Sequence, residues 1–401
     1  MNEQALSGVQ VLDCTWGIAG SYCTKLLADF GAEVIKVEDP NGGDPLRNMG
    51  PFLRDEPHLE KSGPFFYLNT NKKSITLNLR SETGVKIFKE LVKEADVLVE
   101  SFQPGTMTGL GLDYEIISEL NPQLIMTSLS AFGQTGPYRN YTASNLVLSG
   151  LGGTMYTSRP ANEPRTRPVV QGGFQAEHIA GLEGLIATVA ALFNRIHTNR
   201  GTWIDVSAME CVASTLTGYT GEYSNLGLSR KTSPLPIQGH PGLCNYRCKD
   251  GWINPTPGLG AASNIAFLID KPEMQDDPIL ANPGARIAEP EKVDALLLPW
   301  CKTHDKWTIT KKAQELRLCF TPILSPKELA KDEQLEARDF FNTVGHPVMG
   351  EVTYPGALAK LSDTPPVAGK APMLGENNHE IYERLGYVSE DVVKLQEMGI
   401  I

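Results

Sequence analysis

Over the first 130 positions, short apolar runs alternate with stretches whose apolar residues fall at helical spacing. Val9–Asp13 is an apolar run, Gly17-Ile18-Ala19-Gly20 a glycine turn, Ser21–Phe30 a helical stretch, and Ala32–Glu38 a second run that ends on an acid. This order predicts a strand–turn–helix–strand unit. The pattern then repeats through the strand Ile75–Leu79, the helix Ser81–Ala95 with Ser81 as its cap, the strand Val97–Glu100, the helix Asp113–Leu120 and the strand Leu124–Leu129. Such alternation predicts an α/β domain with a largely parallel sheet.

Between these elements, Asp39–Asn71 is rich in Gly, Pro and charge and reads as a long surface loop. Beyond residue 140 a helix is expected from Asn145 toward Gly153. A Gly-rich loop over Pro168–Gly181 carries Glu177 to the edge of a long apolar helix, Leu182–Arg195. The turn Thr198–Gly201, the strand Trp203–Val206 and the helix Ala208–Asn225 follow. Pattern weakens around Leu226–Gly242, which predicts a domain boundary. Asn245–Lys249 and Trp252–Asn254 read as a hairpin around Lys249-Asp250-Gly251, followed by the loop Pro257-Gly258-Leu259-Gly260. Helical stretches near 261–270 and 289–316 fill a second, smaller domain, and Ile323–Leu324 with the helix Pro326–Ala330 begin the return. The tail holds a strand-like segment after Gly350, a Pro-rich extended stretch at 364–372 and helices near 377–385 and 389–398.

The chain has 401 residues, enough for two domains, and its 41% hydrophobic and 21% charged content is ordinary for a globular protein. A net charge of −11, from 36 basic and 47 acidic residues, argues against nucleic acid or an anionic membrane as the main partner. No run of about eighteen apolar residues predicts a membrane span, and the N-terminus lacks the order of a signal peptide, so a cytoplasmic protein is expected. The seven cysteines are odd in number and scattered. Cys244 and Cys248 lack a second ligand pair, so neither a disulfide framework nor a metal is expected.

The turn after the first strand spells G-x-x-G, not the G-x-G-x-x-G of dinucleotide binding, which leaves a nucleotide-dependent dehydrogenase as a remote alternative. Lys72 and Lys73, before the third strand, are either solvated surface charge or contacts for a phosphate. Glu177 is either a capping acid at a helix start or a catalytic carboxylate. His178 beside it either orients that acid or is an ordinary capping residue.

Several blocks resemble the class III CoA-transferase family, which includes formyl-CoA transferase and the carnitine and bile-acid CoA-transferases. They are Leu27–Glu38, Gly43–Arg47, Asn69–Leu79, Ala95–Gly105, Ser130–Tyr138, the helix Leu182–Arg195, and Ala371–Ile381. The blocks run from end to end in the family's order. The resemblance implies a Rossmann-like large domain built from both chain ends (1–225 and 331–401) around a smaller α+β domain (226–330), and an interlocked, ring-like dimer. It implies a coenzyme A thioester as substrate with no permanently bound cofactor, and a carboxylate that attacks the thioester. CoA contacts would come from Gly17, Ile18, Asn71, Lys72, Lys73, Gln103, Thr106 and Asn140, with Gly258 and Gly260 on a loop over the site.

The family's nucleophile is an aspartate four residues before a glycine; here Glu177 stands in that place, with Gly181 in register. Basic positions of formyl-CoA transferase fall on Asp39, Gly109 and Asn140, and a glutamine near the thioester falls on Ile18. The racemase branch needs a His–Asp pair, and neither Tyr141–Ser144 nor Ala176 supplies it. These departures resemble the aspartate-lacking subunit of the two-subunit succinyl-CoA:benzylsuccinate branch. That likeness implies a heteromer in which an aspartate-bearing paralogue does the chemistry and (R)-benzylsuccinate accepts CoA. A self-sufficient homodimer with Glu177 as nucleophile is the alternative.

Overall fold

The computed structural model describes residues 3–158, 168–227, 245–256, 262–282, 285 and 289–401. They form two compact units. Unit 1 comprises Met1–Thr154, Val170–Thr217 and Ala337–Ile401, and unit 2 comprises Met155–Val169 and Gly218–Glu336. The divisions fall at 217/218 and 336/337, against the expected 225/226 and 330/331.

In chain order, unit 1 begins β1 (Gln10–Cys14), α1 (Ile18–Asp29), β2 (Glu33–Glu38), α2 (Gly63–Leu68), β3 (Lys73–Thr76), α3 (Glu82–Glu94) and β4 (Val97–Glu100). It continues with α4 (Thr106–Gly109), α5 (Tyr114–Leu120), β5 (Ile125–Ser130) and α6 (Asn145–Leu151); after the single turn α7 (Thr154–Thr157), which begins at the unit's edge and runs into unit 2, come α8 (Gln175–Thr198), β6 (Thr202–Ser207) and α9 (Ala208–Ser214). The six strands form one parallel sheet in the order β3-β2-β1-β4-β5-β6. Alternate residues feed opposite faces. Val11, Val34, Val97 and Val99 pack in the layer holding α1, α2 and α8. Leu12, Ile35 and Leu98 pack in the layer holding α3, α5 and the tail helices Asn378–Arg384 and Ser389–Glu397. Both faces are therefore covered, which is why the strands read as continuous apolar runs. The strand order reverses between β1 and β4, and that crevice is where doubly wound sheets take their ligands.

Two stretches depart from the pattern reading. The expected loop Asp39–Asn71 contains α2 and buries Leu46, Phe65, Phe66 and Leu68, so much of it is core. The long helix starts at Gln175, seven residues before the expected Leu182, which places Glu177 in its first turn and not on a loop. Gly181 and Gly184 do not break this helix because they are its contact with the rest of the unit. A Cβ on Gly181 would lie 2.5 Å from the Ala19 carbonyl oxygen, and one on Gly184 would lie 2.9 Å from Leu129. By length and composition α8 is apolar enough to cross a membrane, although it holds no unbroken run of eighteen apolar residues. In unit 1 its Ala180–Thr188 face is buried, while Leu182, Ile186, Val189, Phe193 and Ile196 form an exposed apolar stripe.

In unit 2 the expected hairpin is present. Tyr246–Arg247 pairs antiparallel with Trp252–Thr256, and Cys319–Pro322 adds a third strand. The expected helix 289–316 is two, Pro290–Thr303 and Lys306–Glu315, because Asp305 caps the second by accepting from Thr308 N. Both pack on a core that includes Ile253, Leu297, Ile309 and Phe320.

Candidate active site

At the sheet's reversal point a cavity of about 260 Å³ opens beyond the C-terminal strand ends. Trp16–Ala19 after β1, Ser101–Pro104 after β4, and Ser130 and Ala131 at the end of β5 form its floor; Arg139, Tyr141 and Glu177 stand on its walls. The G-x-x-G turn has a local physical cause. Gly17 adopts φ 77°, a conformation costly for any residue with a Cβ, and a Cβ on Gly20 would fall 2.4 Å from that of Thr15. Together they bring the backbone to the cavity edge.

Beneath the turn lies a fully buried ionic cluster. Asp13 accepts from Thr15 N (2.9 Å) and Oγ1 (2.6 Å), from Thr24 Oγ1 (2.7 Å), and from Lys72 Nζ (2.8 Å). Lys36 Nζ is 2.8 Å from Asp44 and donates to the Thr15 carbonyl at 2.8 Å. Burial alone would raise the Asp13 carboxyl, but Lys36 and Lys72 reverse this and hold it far below the usual carboxylate range. Burial would likewise depress Lys36, and Asp13 and Asp44 hold it above its ordinary value. Burial, helped by the like charge of Lys36, brings Lys72 down to about 8. Nearby, Glu38 is clamped by Arg47 through Nε (2.7 Å) and Nη2 (2.8 Å) and receives Ser74 Oγ at 2.6 Å.

Glu177 is set differently. Phe174, at φ 56°, turns the chain into α8, and the Glu177 N–H donates to the Phe174 carbonyl at 3.1 Å. Asn145 Oδ1 accepts from Ala176 N at 3.0 Å and ties the helix start to α6. Glu177 lines the cavity, and its Oε2 atom is buried with no partner among the described residues. Burial pushes its carboxyl above the usual range. His178 does not orient it: its Nδ1 lies 3.0 Å from the Phe174 carbonyl oxygen and its ring packs edge-on against Tyr22.

A second cavity of about 310 Å³ adjoins the first and shares Trp16, Ser101, Phe102 and Gln103 with it. Val37, Leu77, Leu79 and Leu110 make it largely apolar; Glu38, which is clamped by Arg47, and Asp39 and Arg80 are the charged residues that line it. Arg80 was not anticipated from sequence. Its only signal is its position just beyond a strand's C-terminal end, where loops meet ligands.

The remaining expected contacts divide. Gly17 and Ile18 line the first cavity, Gln103 both, and Thr106 the second. Asn140 is exposed and lines neither, although its neighbours Arg139 and Tyr141 line the first. Asn71, Lys72 and Lys73, expected as CoA contacts, line neither cavity, and their polar ends are engaged elsewhere. Asn71 donates to Asp29 and the Val367 carbonyl, Lys72 is buried on Asp13, and Lys73 pairs with Glu33 and Glu380. Gly258, Gly260 and Cys244 lie outside the described residues.

This geometry sets a half-buried carboxylate with an unpartnered oxygen next to a largely apolar chamber, an arrangement that can support nucleophilic attack on an acyl group. Comparison with known proteins agrees in kind. A family model described as CoA-transferase family III matches residues 6–378. A formyl-CoA:oxalate CoA-transferase of Streptomyces coelicolor is 33% identical over 420 residues, covering 100% of both chains. The succinyl-CoA–L-malate CoA-transferase beta subunit of Chloroflexus aurantiacus is 30% identical over 99% of this chain and 98% of its own, and an alpha subunit from that organism is 31% identical over 99% and 92%. Among solved structures, a CAIB/BAIF family protein from Brucella suis superposes with a TM-score of 0.84 at 28% identity, covering 96% of this chain and 100% of that one.

Proposed function

The chain belongs to CoA-transferase family III, and from that premise we propose that it moves coenzyme A from an acyl-CoA to a carboxylic acid with Glu177 as the nucleophile. The observation that carries the proposal is that Glu177, which lines the cavity at the sheet's reversal point, holds a buried, unpartnered Oε2. A Glu177 oxygen attacks the thioester carbonyl carbon, the C–S bond breaks, and CoA leaves as thiolate from a mixed anhydride. The thiolate attacks the Glu177 carbonyl, forming an enzyme thioester and releasing the first acid. The incoming carboxylate attacks that thioester, and the thiolate then takes the new acyl group, restoring the Glu177 carboxylate. No proton is gained or lost. Desolvation serves this chemistry because a carboxylate stripped of water is a stronger nucleophile, and splitting the exchange lowers each barrier.

The apolar second cavity supports placing the adenosine end of CoA there, with Arg80 toward a phosphate. For the acceptor we infer a small dicarboxylic acid. Arg139 is the only basic residue on the first cavity's wall among the described residues, suited to a second carboxylate. The named relatives take oxalate and L-malate, both dicarboxylates. Benzylsuccinate, the acceptor implied by the resemblance, belongs to the same class but is named in none of them. The exposed stripe on α8 supports an assembly in which a second chain covers it.

A second reading rests on the subunit names of the Chloroflexus relatives and on the non-basic Asp39, Gly109 and Asn140. In it this chain is the non-catalytic partner of an aspartate-bearing paralogue. One experiment separates the two. Under our reading, the purified chain given acyl-CoA and hydroxylamine yields a hydroxamate at Glu177 by peptide mass spectrometry, and Glu177→Ala yields none and no transfer. Transfer by a co-expressed pair that survives Glu177→Ala refutes it in favour of the partner reading.

A further inference from the structure

The hydroxyls around the strand ends of unit 1 are nearly all committed. Thr15 Oγ1 donates to Asp13, Ser101 Oγ both donates to and accepts from the Trp16 backbone, Ser128 Oγ accepts from Trp203 Nε1 at 3.0 Å, and Ser207 Oγ caps α9. Ser130 is the exception. Its Oγ, on the last residue of β5, is buried without a partner among the described residues, and Ser130 lines the same cavity as Glu177. A buried hydroxyl left unpaired is disfavoured, and a core built only for stability would replace it by alanine or pair it. Two such atoms on residues that line one small cavity mark a place whose polar partners arrive with a ligand.

The chemistry of that ligand fixes which role the hydroxyl takes. A thioester, a mixed anhydride and a carboxylate offer only acceptor oxygens at the reacting carbon, and the ionised Glu177 is likewise an acceptor only. Ser130 therefore has to donate. We propose that Ser130 is a catalytic residue that donates a hydrogen bond to the acyl carbonyl oxygen as Glu177 attacks, stabilising the negative charge that gathers there before the C–S bond breaks. This rests on the reading of Glu177 as nucleophile. The two groups stand on elements that are held in register: α8 lies against β5 where Gly184 meets Leu129, and Thr188 Oγ1 lies 2.8 Å from Thr127 Oγ1. A donor fixed before the reaction needs no reorganisation when charge develops, which is the condition under which such a bond contributes most.

The test uses the active protein with any partner subunit it requires, and Ser130→Ala, Ser130→Thr and Glu177→Ala. Ser130→Ala should lower kcat by about 100-fold while KM for acyl-CoA moves by less than about threefold, since the bond strengthens only as charge forms. Its melting temperature should be unchanged or higher, because the hydroxyl it removes holds nothing in the free protein. Ser130→Thr, which keeps the donor, should retain kcat within about fivefold. A Ser130→Ala enzyme within twofold of the parent, while Glu177→Ala is dead, overturns the proposal and leaves the nucleophile reading standing. So does a Ser130→Ala loss that comes with a lowered melting temperature and is shared by Ser130→Thr, since the role is then structural. Transfer that survives Glu177→Ala overturns the reading itself and the proposal with it.

Discussion

Lys36→Met would remove one charge from the cluster on which the cavity's glycine turn rests. In the parent protein Asp13 and Asp44 face Lys36 and Lys72, two charges of each sign, all deeply buried. Methionine fills much the same volume but leaves two carboxylates with one ammonium, and leaves the Thr15 carbonyl without the Lys36 donor at 2.8 Å. Breaking a buried pair by removing one partner costs about 3–5 kcal/mol. Here the directions on both partners agree, Lys36 held up and Asp13 held down against the opposing effect of burial. At about 2–4 °C per kcal/mol for a domain of some 150–250 residues, melting should fall by roughly 6–20 °C. The pH dependence has a definite sign. A carboxyl depressed in the folded state contributes stability that is present above its unfolded value near 3.9 and lost as pH falls through the folded one. The parent loses this contribution progressively below about pH 5. The variant's Asp13, short of a cation, protonates sooner and is relieved. The gap between the two melting curves, recorded by circular dichroism, should thus be flat from about pH 5 to pH 7, short of the Lys72 titration near 8, and narrow below about pH 5. Melting within 2 °C of the parent at neutral pH, or a gap that widens in acid, would refute this account of the cluster.

Four further outcomes follow from the same geometry. Arg80→Ala should raise KM for acyl-CoA about tenfold with unchanged melting, whereas Lys73→Ala, whose ammonium already pairs with Glu33 and Glu380, should leave KM within twofold in steady-state assays. Gly181→Ala, whose Cβ would meet the Ala19 carbonyl oxygen at 2.5 Å, should cost about 1–3 kcal/mol in urea denaturation and reduce kcat on the order of tenfold or more by shifting Glu177. Because burial raises the Glu177 carboxyl, the acid limb of the kcat profile should lie above an ordinary carboxylate's; the folded state also holds that proton longer than the unfolded, so Glu177→Gln should melt higher than the parent at neutral pH, with the gain vanishing in acid. Arg139→Ala should raise KM for a dicarboxylate acceptor about tenfold and leave a monocarboxylate's within twofold in competition assays.

The sheet could be read from the chain because each buried strand is a run of apolar residues closed by a turn, a signal carried within a few positions. The start of α8 could not. Gly172, Gly173 and Gly181 look like loop residues until it is known that Gly181 lies against α1, and that contact spans 162 positions from Ala19. Lys72 failed as a phosphate ligand for a related reason: its partner Asp13 is 59 residues away, and nothing in the Asn-Lys-Lys-Ser block distinguishes a buried lysine from an exposed one. Asp39–Asn71 misled because Pro and Gly dominate its composition, while the Phe65–Leu68 turn that anchors it is short. Glu177 stands out as the carboxylate just before a long apolar helix, and the family's pattern is what favours a catalytic role for it over capping. Ser130 was missed because whether a hydroxyl is satisfied is a property of three-dimensional neighbours and leaves no trace in spacing.

Glu177 is best judged against the other acids at the strand ends. Asp13 has two lysines and two threonines around it, and Glu38 has Arg47 and Ser74. Glu100, raised by burial, still receives the Phe102 N–H at 2.8 Å. Each of these is explained by the fold it supports. Glu177 has the positive end of α8 in its favour and burial against it, and burial prevails. A capping acid would resolve that opposition by turning toward the free N–H groups of its own helix or out to water. This one keeps an oxygen buried at the cavity wall with nothing bonded to it. A glutamate where the resemblance implies an aspartate therefore does not by itself argue for a dead site: a carboxylate retained only by drift would have no reason to keep a buried, unpaired oxygen beside the crevice at the sheet's reversal point.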